Sequence, residues 1–507
     1  MNRSFPSLRK LCLTAFVLLI ATASIAQTAE RYSSDDKSRV RLPDIGGSFD
    51  SSFSNKEAAE YAKSLVRQLR AYNLLVEDPL VKAYFVDMGH RLASNSSRPE
   101  TNFHFVVIKN PVLNAWAAPG GLIALHTGLI MAADTEAEVA GVLGHEIAHI
   151  TQSHAARGME NARKVNLPVM LAMLGLAILS GSAEVAQGAL MTGQALTTQN
   201  RINFTRQNEH EADRLGIQTM AASGYDPMGM ADFFSKMGRA SRSNGEGPPE
   251  YMRTHPLSTT RVAEAKNRAS KIEVFNPRDD LNFYLVKARI RASEYINKPE
   301  EAIRYFSALL SRTDLTSNQR TAVKYGLVMS MKTKGEIEHA RRLLDDLLDE
   351  DPDRGAFIIE ATLLDSEQGQ FSRAQERLQV LYNRFPGNTV ISTYLLRALL
   401  ADGTRESAER AIPIIREQLL VRDNDPSIYD LYAQAANRAE LPIKRSEAVA
   451  EAHYLRGHLH QAVMKLREVS RQTDLDYYQR SRISARLSEL EIELAEGGQR
   501  LQKTQRS

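Results

Sequence analysis

Thiols are almost missing from this chain of 507 residues. Its one cysteine, Cys12, lies within an apolar run from Leu11 to Ile20. Arg3, Arg9 and Lys10 form a basic segment around the start of that run, and Ser24-Ile25-Ala26 places small residues before a cut after Ala26. This is the pattern of a cleavable secretory signal. No small residues precede Cys12, which argues against a lipoprotein signal; an uncleaved N-terminal anchor is the alternative. Removing residues 1–26 leaves no thiol. Disulfides, cysteine metal ligands and a cysteine nucleophile are then excluded, and any metal must sit on histidines and carboxylates.

A charge excess is missing too. The whole chain has 64 Lys+Arg and 61 Asp+Glu, and the signal segment takes three basic residues with it. The exported chain is balanced, which gives no footing for nucleic-acid binding. Long apolar runs are also scarce. A membrane-spanning helix needs about 20 apolar residues. Val165–Ala183 reaches 19 only by counting Asn166, Pro168, Ser180 and Ser182. It is expected as a buried or lid-forming helix over a cleft, with transient membrane contact as the second reading. With 43% hydrophobic and 25% charged residues, neither a disordered nor a collagen-like chain fits.

The length allows two to four domains. Residues 27–50 are polar and aperiodic and read as a flexible leader. Helical spacing begins at Asn55, and a second helix is expected over Pro79–Ala93. Phe103–Ile108, Val112–Ala117 and Leu122–Leu125 read as short strands, with Pro119-Gly120-Gly121 as a turn. Thr135, followed three residues later by Glu138, marks a helix start, and a further helix is expected over Gln207–Ala222. Ser241–Pro249 is a Ser/Gly/Pro-rich loop. The boundaries are then 51–272 for a front domain with a small sheet, 275–495 for an all-helical domain, and 496–507 for a C-terminal tail. The fold class is mainly α (α+β).

The helical region repeats. Gly335, Gly369 and Gly403 are 34 residues apart, as are Ala340, Ala374 and Ala408, and Pro352 and Pro386 keep the period. Helix pairs of this length are the tetratricopeptide (TPR) pattern, whose stacked pairs form a superhelix that binds peptides or proteins. Leu420 stands where proline is expected, Pro413 is expected to interrupt a helix, and Gly457 follows Gly403 by 54 residues, which implies an insertion or a degenerate repeat.

The helix from Thr135 carries His145-Glu146-Ile147-Ala148-His149. Two histidines at i and i+4 share a helix face and can grip one Zn²⁺ ion. Glu146 is turned about 100° from His145, which directs its carboxylate to a water that the ion acidifies toward pKa ~7. Glu146 is therefore the candidate base and proton shuttle. A third ligand is required. His154 is one candidate, but on a continuous helix it would lie about 140° from His149 and point away. Glu209 is the better one. Asp213, four residues on, shares its face and can accept the other ring N–H of a ligating histidine. Glu211, about 200° from Glu209, is expected to face away, and His210 to sit at the rim.

Together these segments resemble the gluzincin metallopeptidases, in the branch containing prenyl-protein and membrane quality-control proteases. The resemblance is carried by Asn114-Ala115-Trp116-Ala117-Ala118-Pro119-Gly120-Gly121, Thr127-Gly128-Leu129, the His-Glu-x-x-His motif, Glu209–Asp213, Thr254-His255-Pro256-Leu257 and Arg261. It implies a gluzincin zinc metalloprotease domain over 51–272, with one Zn²⁺ per chain on His145, His149 and Glu209. It implies that Asn114–Ala118 is an edge strand beside the cleft, able to pair with an extended substrate. His255 has two readings: it stabilises the oxyanion of the tetrahedral intermediate, or it is a fourth zinc ligand that holds the enzyme latent until it swings away about Ser241–Pro249. Arg261 would orient this loop or the site. With an export signal in front and tetratricopeptide repeats behind, the resemblance further implies a periplasmic protease. Its partners would be unfolded or assembling outer-membrane β-barrel proteins and the β-barrel assembly machinery. A chaperone or adaptor with a mostly latent zinc site is the reading from another class.

Overall fold

The computed structural model describes residues 55–154, 206–243, 248–274 and 281–506. The signal segment, the leader, Val165–Ala183 and the Asn244–Gly247 centre of the expected hinge lie outside these residues. Phe53–Ser507 forms one compact unit. Among the described residues no helix is long and apolar enough to cross a membrane.

The front region opens with helices α1 (Asn55–Ala71) and α2 (Pro79–Ser94). Asp78 caps α2 by accepting from the N–H groups of Leu80 and Val81, and Pro79 stands at the first turn, where its missing N–H costs nothing. Strands β1 (His104–Ile108), β2 (Ala115–Ala118) and β3 (Leu122–His126) form one sheet in the order β1-β3-β2. β1 runs parallel and β2 antiparallel to β3. The outer side of β1 is covered by the chain at Leu74–Val76, where Val76 N–H donates to Val107 O and Lys109 N–H to Leu74 O. β2 is the edge. Asn114 O accepts from His126 N–H. Antiparallel pairing alternates, so Trp116 and Ala118 also turn their peptide groups toward β3, while Ala115 and Ala117 turn theirs outward.

Helices α3 (Thr127–Ala132), α4 (Glu136–Thr151), α5 (Arg206–Ala222), α6 (Met228–Ser243), α7 (Glu250–Thr254) and α8 (Thr259–Ala269) follow. Thr135 caps α4, its hydroxyl accepting from Glu138 N–H. Glu138 reaches back to the N–H of Asp134 rather than to that of Thr135, and is ion-paired with Lys236 at 2.6 Å. α4 packs against β2, α5 and α6. It approaches α5 closely because both carry glycine at the crossing. A Cβ on Gly216 would lie 3.0 Å from His145 N, and one on Gly144 3.1 Å from Gly216 O.

From Leu281 the described chain is wholly helical, beginning with α9 (Leu281–Glu294). Pairs Ser317–Lys334 with Ile337–Glu350, Gly355–Glu367 with Phe371–Arg384, and Thr389–Ala401 with Arg405–Leu419 reproduce the 34-residue period. Gly335, Gly369 and Gly403 sit in the turns with φ of 87°, 72° and 75°. Ala340, Ala374 and Ala408 are fully buried where the helices meet. The extra residues before Gly457 hold one additional helix, Pro426–Arg438, and Gly457–Ala462 then resumes the pattern between Pro442–Leu455 and Leu459–Ser470. Pro413 does not interrupt its helix, which runs through it from Arg405 to Leu419. The last helix extends from Tyr477 to Arg506.

A Cβ on Gly335 would meet nothing within 4 Å, so its glycine answers to backbone angle alone. Gly335→Ala is expected to cost about 1–2 kcal/mol, because the left-handed angle is kept at the expense of Cβ crowding. Gly355→Ala, at an equally open site with no positive φ, is expected to cost nothing. Paired urea titrations check the contrast.

One hydrophobic core runs from Val81 on α2 through Phe283 on α9 to Leu364 in the repeats. At its polar centre lies Arg289. Its guanidinium donates to Asp78 at 2.7 Å, Tyr325 at 2.7 Å, Glu360 at 2.5 Å and Tyr394 at 2.9 Å. Lys332 donates to the other oxygen of Glu360 at 2.6 Å. Farther along, Lys82 pairs with Asp425 and Arg67 with Glu493, so the repeats fold back onto α1 and α2.

Candidate active site

α4 presents His145 and His149 on one face, and Glu209 of α5 and His255, just after α7, come to meet them. All four are buried, and one ligand atom from each lies within 4.8 Å of the others. His145 Nε2 is 2.9 Å from His149 Nε2 and 3.2 Å from His255 Nδ1. Glu209 stands 3.2 Å from His255 Nδ1, 3.4 Å from His149 Nε2 and 3.5 Å from His145 Nε2. A tetrahedral ion bound at about 2.0–2.1 Å sets its ligand atoms roughly 3.3–3.4 Å apart, so the spacing fits one small cation. Nitrogen and carboxylate donors without a thiol suit zinc. His255 thus joins the other three rather than standing apart from them.

Each donor is held from behind. His145 Nδ1 lies 2.9 Å from Asp213 Oδ1. Arg261 donates to both oxygens of Asp213, at 2.8 and 2.7 Å, and to Pro256 O at 2.9 Å, and lies 2.8 Å from Glu209 Oε2. One guanidinium therefore aligns α5 with the loop that carries His255. The ring of Tyr251 stacks on His255 at 4.7 Å and 28°, and His255 N–H donates to Tyr251 O. Tyr251, absent from the sequence-based candidates, is buried, and its hydroxyl has no partner among the described residues. Only its position, four residues before His255, could have pointed to it.

The electrostatics favour a cation. Burial alone would lower the pKa of His145, but Asp213 and Glu209 outweigh it and raise it to about 9. Burial and the neighbouring His145 charge push His149 well below the usual histidine range. Burial opposes ionisation of Glu209, yet His255, His145 and His149 hold its pKa well below the carboxylate range. Asp213 is lowered against its burial by Arg261 and His145. Ionised carboxylates thus sit in a dry pocket that already draws a proton.

Glu146 is 1% exposed. Its Oε1 lies 3.4 Å from His255 Nε2 and has no hydrogen-bond partner among the described residues. The motif's carboxylate is therefore next to the four donors but not one of them. His210 is partly buried, its Nδ1 3.1 Å from Glu264 Oε2. Trp116 is in the core with Ala62 and Leu65, and the outward peptide groups of Ala115 and Ala117 have no backbone partner among the described residues.

Two expectations are corrected. His154 does not point away: it is fully buried, and its Nδ1 lies 2.8 Å from His149 Nδ1. Nor does Glu211 face away, since its Oε2 lies 3.0 Å from His154 Nε2. The helical wheel failed because α4 ends at Thr151 and Ser153 takes a left-handed φ of 53°, turning His154 back under His149.

Comparison with known proteins agrees with this geometry. The model of peptidase family M48 matches residues 79–269. The β-barrel assembly-enhancing protease of Escherichia coli (strain K12) is 33% identical, the match covering 93% of this chain and 95% of that protein. The protein of the same name from Yersinia pestis is 33% identical over 89% and 91%. The mitochondrial metalloendopeptidase OMA1 of Arabidopsis thaliana is 31% identical over 33% of this chain and 32% of its own. A match over more than nine tenths of both chains at this identity, around a buried His-Glu-x-x-His helix with its metal-ready donors, places the chain in peptidase family M48, as a metallopeptidase.

Proposed function

We propose that the chain is a zinc endopeptidase of the Gram-negative periplasm, exported by cleavage after Ala26, that degrades unfolded or stalled outer-membrane β-barrel proteins. The observation that carries the catalytic part is Glu146, a buried carboxylate beside four converging donors. A pure binding module has no use for it. His145, His149 and Glu209 would hold the ion, and in the active state His255 would leave the fourth position to water. Zinc there would polarise the scissile carbonyl and lower the pKa of an attacking water toward ~7. Glu146 accepts the water's proton at its carboxylate and returns it to the leaving amine. Asp213, 2.9 Å from His145 Nδ1, would accept the Nδ1–H of a ligating His145 and fix its tautomer, and Arg261 holds Asp213 and Glu209 in place. The outward peptide groups at partly exposed Ala117 would pair with an extended substrate, a conformation that unassembled β-barrel segments adopt readily. The relatives named for β-barrel assembly support the substrate class and an interaction with the assembly machinery. The repeats would capture the chain.

His145 supplies a test of ion binding. Below pH ~9 it holds a proton that an ion must displace, while Nδ1–H stays with Asp213. Zinc binding at pH 7 is expected to release about one proton, with affinity rising as pH approaches 9. Calorimetry in buffers of different ionisation enthalpy measures this; no proton release would contradict it.

A second reading, a TPR chaperone or adaptor with a mostly latent site, is favoured by one observation: His255 Nδ1 stands among the donors. If the competent state is populated at about 10% or less, His255→Ala is expected to raise cleavage roughly tenfold. Unchanged cleavage would exclude latency. A fall of about 10²–10³ in kcat would instead assign His255 to the oxyanion.

A further inference from the structure

His154 and Glu211 have no part in the chemistry above, yet they form a built path into the centre. Glu211 Oε2 is 3.0 Å from His154 Nε2, and His154 Nδ1 is 2.8 Å from His149 Nδ1. The proton positions follow from what each group can do. An ionised carboxylate only accepts, so His154 Nε2 carries a hydrogen and donates it to Glu211. In the neutral ring the other nitrogen of His154 then accepts, so His149 Nδ1 carries a hydrogen and donates it to His154. That leaves the lone pair of His149 on Nε2, the atom facing His145 and Glu209. His154 is fully buried, and its ring packs edge-on against His149 at 4.8 Å, which fixes the aim as well as the tautomer.

We propose that His154 and Glu211 are positioning residues for the metal centre: they lock His149 in the tautomer that presents Nε2, as Asp213 and Arg261 do for His145. The two helical histidines would then be held by separate supports, a carboxylate with an arginine behind one and a histidine with a carboxylate behind the other. The left-handed turn at Ser153 is what brings the second support into place.

The proposal rests on the zinc reading, and its test separates the two. Zinc affinity of the full chain is measured by competition with a chromophoric chelator, with Co²⁺ substituted to read ligand geometry from its visible spectrum. The wild-type chain is expected to bind one zinc; if it binds none, the metal reading itself falls. His154→Phe, which fills the site but accepts no hydrogen bond, is expected to weaken zinc binding about 10–100-fold and alter the Co²⁺ spectrum. His154→Asn, whose Oδ1 can stand in for Nδ1, is expected to restore most of the affinity. Glu211→Ala, on a partly exposed side chain, is expected to weaken it several-fold without loss of fold. If His154→Phe does not fold, the Asn and Glu211 variants decide. Wild-type affinity in His154→Phe, or in Glu211→Ala together with a loss in His154→Asn as large as for Phe, would overturn the proposal.

Discussion

Replacing Glu146 with Gln is expected to lower kcat for cleavage of an unfolded outer-membrane β-barrel protein by about 10²–10⁴-fold, with zinc content unchanged. The size follows from what is removed. Gln keeps the volume and one oxygen, so packing in this buried pocket survives, but it cannot take up a proton. Glu146 is next to the donor set rather than within it, so the ion should stay. A parallel loss of zinc would mean that Glu146 is a ligand. Unimpaired cleavage would mean that another group carries the proton. The assay belongs in the His255→Ala background as well, so that latency is not mistaken for loss of the base.

The second large effect is on stability. Arg289→Met is expected to destabilise the chain by about 3–5 kcal/mol, because it strands Glu360 in the core with only Lys332 opposite and leaves the hydroxyls of Tyr325 and Tyr394 short of a donor. The double change Arg289→Met with Glu360→Met removes the buried pair, leaving Asp78 and Lys332, whose side chains are partly exposed, and is expected to cost clearly less, since apolar replacement of a buried pair is often near neutral. Urea midpoints of the single and double variants report the difference. The same carboxylate gives an acid signature. Burial would raise the pKa of Glu360, but Lys332 and Arg289 outweigh it and hold it down to about 2. A depressed carboxylate stabilises the fold above its unfolded value of ~4.3, and that contribution is lost as pH falls from there toward 2. Glu360→Gln is expected to flatten stability against pH in that window. An equal slope in both proteins would show that the network does not carry the acid response.

Much of this architecture is legible in the sequence, where local chemistry decides. The turn glycines at 335, 369 and 403 are needed because only glycine adopts φ of 72–87° freely, and the buried alanines at 340, 374 and 408 because side-chain volume would hold the helices apart. His145, Glu146 and His149 are legible because spacing on one helix fixes their relation. Glu209, Asp213 and the edge strand come from the family resemblance, since nothing local says that α5 meets α4. The glycines at 144 and 216 that permit that meeting carry no signal until the helices are seen to cross. The places of His154 and Glu211 escape the sequence for a different reason: a wheel assumes a continuous helix, and Ser153 breaks it. Arg289 is not legible because a lone arginine on a helix ordinarily reads as surface, and its four acceptors come from the cap of α2 and three repeat helices.

The most direct test of the central claim is the metal content of the purified exported chain after exhaustive dialysis, read alongside cleavage. The account predicts one zinc per chain in the wild type and in Glu146→Gln, and a strong loss in Glu209→Ala. It further predicts that a chelator abolishes cleavage and that added zinc restores it. Zinc retained in full by Glu209→Ala, or cleavage indifferent to the chelator, would contradict it.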